Sequence, residues 1–94
     1  MTSKQRAYLN KLAANEKAVL SVGKEGVTPE FINALDEVLE KRELVKITFQ
    51  KNSPYQSKDM AQTIAERTNS EIVSSLGRKL VFFRVSKTNN KIII

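Results

Sequence analysis

Apolar residues recur at helical spacing in three stretches of this chain and gather into short runs, rich in β-branched residues, in four others. Tyr8, Leu9, Leu12 and Ala13 form one stripe, and Thr2 and Gln5 stand at capping-box spacing before it, so residues 3–14 read as a helix. Ala18-Val19-Leu20-Ser21-Val22 is apolar, stops at Gly23 and reads as a strand. Thr28 suits an N-cap and Pro29 the first helical position. The helix they open runs to about Lys41 and buries Phe31, Ile32, Leu35, Val38 and Leu39.

Leu44 to Phe49 alternates with Val45, Ile47 and Phe49 on one face, the pattern of a strand. A loop over Lys51 to Gln56 follows. Ser57 is placed to cap a third helix reaching about Thr68, with Met60, Ala61, Ile64 and Ala65 inward. Ile72 to Leu76 and Leu80 to Val85 are two strands joined at Gly77-Arg78 as a hairpin. The tail, Lys87 to Ile94, is polar and then apolar; its closing isoleucines either add an edge strand or cover the core. The fold class is α/β: a single-layer, mixed four-stranded sheet with helices, in the order α-β-α-β-α-β-β.

A chain of 94 residues sustains one domain, residues 1–94, with one modest core. Cysteine and histidine are both missing from it. That removes disulfides, thiolate metal sites and the commonest general base. The acids show no calcium-loop spacing, so neither a metal nor another cofactor is expected, and no catalytic residues stand out. The polar opening Met1-Thr2-Ser3-Lys4-Gln5-Arg6 leads into no apolar run, and no stretch is long enough to span a membrane. A cytoplasmic monomer with no small-molecule substrate is the expectation.

Charge then narrows the class of partner. The formal charge is +6, and it is uneven. Residues 28–43 hold five acids against Lys41 and Arg42, a net of −3, and residues 57–68 balance. The rest of the chain therefore carries +9, which favours a polyanion. Glu30, Glu37 and Glu40 lie opposite the apolar stripe of the second helix and give it an acidic outer face. Lys4 and Lys11 lie two turns apart on the first helix, beside Arg6, while Arg78, Lys79 and Arg84 surround the last hairpin.

Gly23-Lys24-Glu25-Gly26 lies between a strand and a capped helix. Glycines there would let a polynucleotide backbone come close, free of Cβ atoms, at a helix end whose amides and dipole favour anions. Lys24 adds a mobile cation; Glu25 must turn outward or meet a base or sugar hydroxyl. The spacing fits neither a Walker loop nor a dinucleotide fingerprint.

Val22-Gly23-Lys24-Glu25-Gly26-Val27-Thr28, Glu43-Leu44-Val45-Lys46 and Gly77-Arg78-Lys79-Leu80-Val81-Phe82-Phe83-Arg84 together resemble the YhbY family. This is the stand-alone bacterial form of the CRM (chloroplast RNA splicing and ribosome maturation) domain. Lys4 to Leu9 and Ser86 to Lys91 extend the resemblance over nearly the whole chain. It implies a fold similar to the C-terminal domain of translation initiation factor 3. It also implies RNA binding through the GxxG loop, and association with ribosomal RNA in precursors of the large subunit. Plant relatives serve group II intron splicing. Many CRM domains place glycines before the third strand, where this chain has Thr68-Asn69-Ser70; Asn69 suits a left-handed cap there.

These readings assign RNA contact to Gly23, Lys24, Glu25, Gly26, Lys4, Arg6, Lys11, Lys51, Arg78 and Arg84, with Tyr55 the better placed of two tyrosines for stacking on a base. The alternative is a protein–protein adaptor that docks through the acidic helix and the apolar tail.

Overall fold

The computed structural model describes residues 1–94, with α1 (Ser3–Ala13), β1 (Leu20–Val22), α2 (Pro29–Arg42), β2 (Leu44–Phe49), α3 (Ser57–Thr68), β3 (Glu71–Leu76) and β4 (Lys79–Phe83). The helix starts follow their caps. The Thr2 hydroxyl accepts from the Gln5 amide at 3.0 Å while the Gln5 side chain accepts from the Thr2 amide at 2.9 Å, the reciprocal box that the spacing predicts. Thr28 accepts from the Phe31 amide at 3.0 Å, with Pro29 in the first turn. Asn69 closes α3 in the left-handed conformation, φ 51°.

Ser57 is a correction. It begins α3 but caps nothing: Gln56 holds the N-cap position with no side-chain bond, and the buried Ser57 hydroxyl donates instead to the Gly77 carbonyl at 2.6 Å. The strand predicted from Ala18 begins at Leu20, and the one predicted to reach Val85 ends at Phe83. The Arg84 amide still donates to the Glu43 carbonyl, at 2.9 Å, in the register of the ladder; beyond it the chain leaves the sheet, with the Ser86 and Lys87 amides donating to the Glu43 and Glu40 carboxylates of α2.

The sheet order is β1-β2-β4-β3, with β1 parallel to β2 and the other pairs antiparallel. Val45, Ile47, Phe49, Leu80 and Phe82 face α2 and α3, meeting Leu35, Leu39, Ala61, Ile64 and Ala65. Leu44, Val81 and Phe83 face the other way, with Val73, onto Leu9 and Ala13 of α1. The sheet is thus one layer with helices on both sides. Leu80-Val81-Phe82-Phe83 is uninterrupted because this inner strand is covered on both faces, so consecutive side chains each find a core.

The tail forms no strand. Two carboxylates of α2 hold its backbone instead. Glu43 is fully buried, and its oxygens accept from the amides of Ser86 (2.7 Å), Lys91 (2.6 Å) and Ile92 (2.8 Å). Glu40 accepts from the Lys87 and Thr88 amides at 2.9 and 3.0 Å and from the hydroxyls of Ser86 and Thr88, both at 2.8 Å. Glu43 sits at φ 68°, a conformation that costs a non-glycine residue about 1–3 kcal/mol. Its three bonds to the tail fix it there. Ile92 packs on the α1 cluster, while Ile93 and Ile94 stay exposed.

Hydrogen bonds from Ser86 and Thr88 hold the Glu40 carboxyl down to about 2, from an ordinary value of 4.5. Burial alone would raise Glu43, but the amides of Ser86, Ile92 and Lys91 outweigh it and lower its pKa. A carboxylate whose pKa falls on folding stabilises the fold above its unfolded value and loses that contribution as pH drops through the folded one. Protection factors of residues 86–92, taken against the intrinsic exchange rate at each pH, should therefore fall as pH drops from 4.5 towards about 2, before those of the sheet amides do; simultaneous loss would mean that the strap is not a separate unit. Glu43→Gln turns a donor towards a backbone N–H and should cost about 1.5–3 kcal/mol in denaturant unfolding.

Candidate nucleic-acid interface

Parallel pairing places Val22 opposite Phe49, so the chain leaves β1 and β2 at the same end of the sheet. The β3–β4 hairpin turns there too, since Leu76 pairs with Lys79 and Lys79 with Thr48. Three loops and the N-terminal ends of α2 and α3 meet at this end. The GxxG segment is a closed turn: the Gly26 amide donates to the Gly23 carbonyl at 3.0 Å, and Gly26 adopts φ 75°. Lys24 and Glu25 are exposed at its tip.

The glycines serve a purpose that the sequence does not reveal. A Cβ on Gly23 would stand 3.1 Å from Gln50 Oε1, and one on Gly26 would stand 3.4 Å from both Pro54 and the Tyr55 ring. Gly26 is buried under the β2–α3 loop, whereas Gly23 is half-exposed and meets only the side-chain ends of Gln50 and Asn52. The expectation that Gly26 lies open to a phosphate is corrected accordingly: the loop offers Gly23, Lys24, Glu25 and the backbone between them. Gln50 ties the two loops together, its amide donating to the Val22 carbonyl at 2.8 Å and its side chain to the Ser21 hydroxyl at 3.0 Å.

Lys24, Lys51 and Arg78 are brought together at this end, all exposed and none in an ion pair. Lys58, in the first turn of α3, joins them; the sequence does not mark it, because only the sheet topology shows at which end of the sheet α3 begins. Glu25 and Glu30 lie beside the GxxG turn and oppose an anion there. Tyr55 is half exposed, with its ring against Gly26.

The other expected contacts lie elsewhere. Arg84 is a correction: its guanidinium donates to Asp36 Oδ1 (2.5 Å) and to the carbonyls of Asp36 (2.9 Å) and Thr68 (2.8 Å), with Glu40 3.5 Å away. It fastens α2 to the end of α3 and has no free donor face for RNA. Arg6 donates to the Ile72 and Val73 carbonyls where β3 bulges, so it too is structural. Lys4 and Lys11 are exposed on α1, whose contacts with Leu44, Val73 and Phe83 place it towards the opposite end of the sheet. The acidic face of α2 is also partly consumed, by Arg84 and by the tail.

Known proteins share this architecture. The family model described as the CRS1 / YhbY (CRM) domain matches residues 1–84. The probable RNA-binding protein YqeI of Bacillus subtilis is 32% identical over 92 residues, covering 98% of this chain and 96% of its own. The solution structure of a hypothetical protein from Staphylococcus aureus, a candidate RNA-binding protein, superposes with a TM-score of 0.83 at 37% identity, over 100% of this chain and 98% of the other. With the caps, the mixed sheet and the GxxG turn all in place, this chain belongs to the CRS1 / YhbY (CRM) domain family.

Proposed function

We propose that the chain binds RNA with the end of the sheet where the GxxG turn, the β2–α3 loop and the β3–β4 hairpin converge. The observation that carries this reading is the gathering of Lys24, Lys51, Lys58 and Arg78, none of them ion-paired, onto three adjoining loops and the first turn of α3. Distant in sequence, they become neighbours only through the strand order. Unpaired cations on a preformed surface release counterions from a polyanion without first losing an acidic partner. The names of the relatives in B. subtilis and S. aureus agree with this partner.

On this reading residues 1–94 form one RNA-binding domain. The family model ends at residue 84, and the segment beyond it is bound to Glu40 and Glu43 of α2. The RNA is ribosomal, in a precursor of the large subunit, and the protein acts in the cytoplasm as a monomer that binds rather than catalyses. The family resemblance supports the ribosomal part. No helix is long and apolar enough to cross a membrane. The adaptor alternative loses part of its surface, because Glu40 of the acidic face is bonded to the tail and to Arg84, while Ile93 and Ile94 stay exposed.

Lys24→Ala and Lys51→Ala should each weaken RNA affinity about 3–10-fold at moderate salt and lower the log–log salt slope by about 0.7–0.9. Arg84→Gln should do the opposite, lowering stability by about 1–3 kcal/mol while leaving the slope unchanged. Fluorescence anisotropy across a salt series, with denaturant unfolding of the same variants, measures both. An unchanged slope in both lysine variants would place the interface elsewhere. Gly26→Ala forces a side chain into the left-handed region against Tyr55 and should cost about 1–2 kcal/mol of stability. Crosslinking in cells followed by sequencing of the bound fragments tests the ribosomal target.

A further inference from the structure

Two hollows at this end of the sheet differ in charge. The one beside the GxxG turn has Lys24 as its single cation, against Glu25 and Glu30. The other lies between the β2–α3 loop, the start of α3 and the β3–β4 hairpin; it measures about 700 Å³, is lined by Lys51, Lys58 and Arg78, and has no acidic residue in its wall. Its floor is fixed from below. The Gly77 carbonyl accepts from the Ser57 hydroxyl at 2.6 Å and the Arg78 carbonyl from the Phe49 amide at 2.7 Å. The polar backbone of the hairpin turn is therefore satisfied inward. A cationic hollow with a rigid floor is preorganised for an anion, since no competing carboxylate must be displaced.

Tyr55 lines the second hollow, on the side where its ring meets Gly26. One side of its ring lies on Gly26 and the residue is 53% exposed, so the ring is held in place yet open to a partner. An aromatic side chain buttressed in this way offers a stacking surface at little cost in side-chain entropy. Stacking needs a base with a free face, which a paired and stacked duplex does not provide.

Resting on the RNA-binding reading above, we propose that the groove between the β3–β4 hairpin and α3 is the main phosphate subsite, and that it takes single-stranded RNA with an unpaired base stacked on Tyr55. The GxxG turn then acts chiefly as the support that holds Tyr55 in place, with Lys24 a peripheral contact.

The test compares a single-stranded oligoribonucleotide with a duplex of the same length, by anisotropy over a salt series, for the full chain and for Lys24→Ala, Lys58→Ala, Tyr55→Phe and Tyr55→Leu. Tyrosine fluorescence is followed in a Tyr8→Phe background, where Tyr55 is the sole emitter. Single strands should bind more tightly than the duplex and quench Tyr55. Lys58→Ala should reduce the slope by about 0.7 and the affinity more than Lys24→Ala does. Tyr55→Leu should lose at least about 5-fold in affinity, while Tyr55→Phe, which keeps the ring, retains it. If Lys24→Ala weakens binding while Lys58→Ala and Tyr55→Leu leave it unchanged, or if the duplex binds equally well, the groove is not the subsite and the wider RNA reading survives. If the unaltered chain binds neither RNA at low salt, both readings fall.

Discussion

Parallel pairing of β1 with β2 is the constraint on which the rest of the molecule depends. It requires a crossover, supplied by α2, and it sends the chain out of both strands in the same direction. Because β4 then runs antiparallel to β2, its hairpin with β3 turns at that same end. Three loops from separate parts of the sequence are thereby laid side by side. Cations that would be ordinary surface charges on any one loop become a set.

The opposite end of the sheet is built on the reverse principle. There, Arg84 answers Asp36 and Glu40, and Glu40 and Glu43 hold the amides of the tail, while Lys4 and Lys11 of α1 stay exposed. Buried or half-buried carboxylates are tolerable only because each finds several donors. The buried electrostatic network thus lies at one end of the strands, and Lys51, Lys58 and Arg78 line a hollow without acids at the other. Net charge alone would not have distinguished the two, since both ends are rich in ionisable residues.

Much of the fold was legible in the sequence because it is encoded locally. Thr2 with Gln5, Thr28 with Pro29, and Asn69 after α3 announce helix boundaries through bonds that span three or four residues. What could not be read is what depends on distant partners. Ser57 looks like a cap until the hairpin brings the Gly77 carbonyl within reach. Arg84 looks like an RNA contact until β4 carries it to Asp36, 48 positions away. At the candidate site, the GxxG turn and Lys51 were visible as motif and charge. The coverage of Gly26 by Tyr55 and the arrival of Lys58 beside Arg78 were not, because no local periodicity encodes them.

Backbone amide shifts during titration with a short single-stranded RNA probe the central claim without altering any residue. The account predicts perturbations confined to residues 23–26, 50–58 and 77–79, at the converging loops. Perturbations centred on α1 or on the strapped tail, with those loops silent, would contradict it.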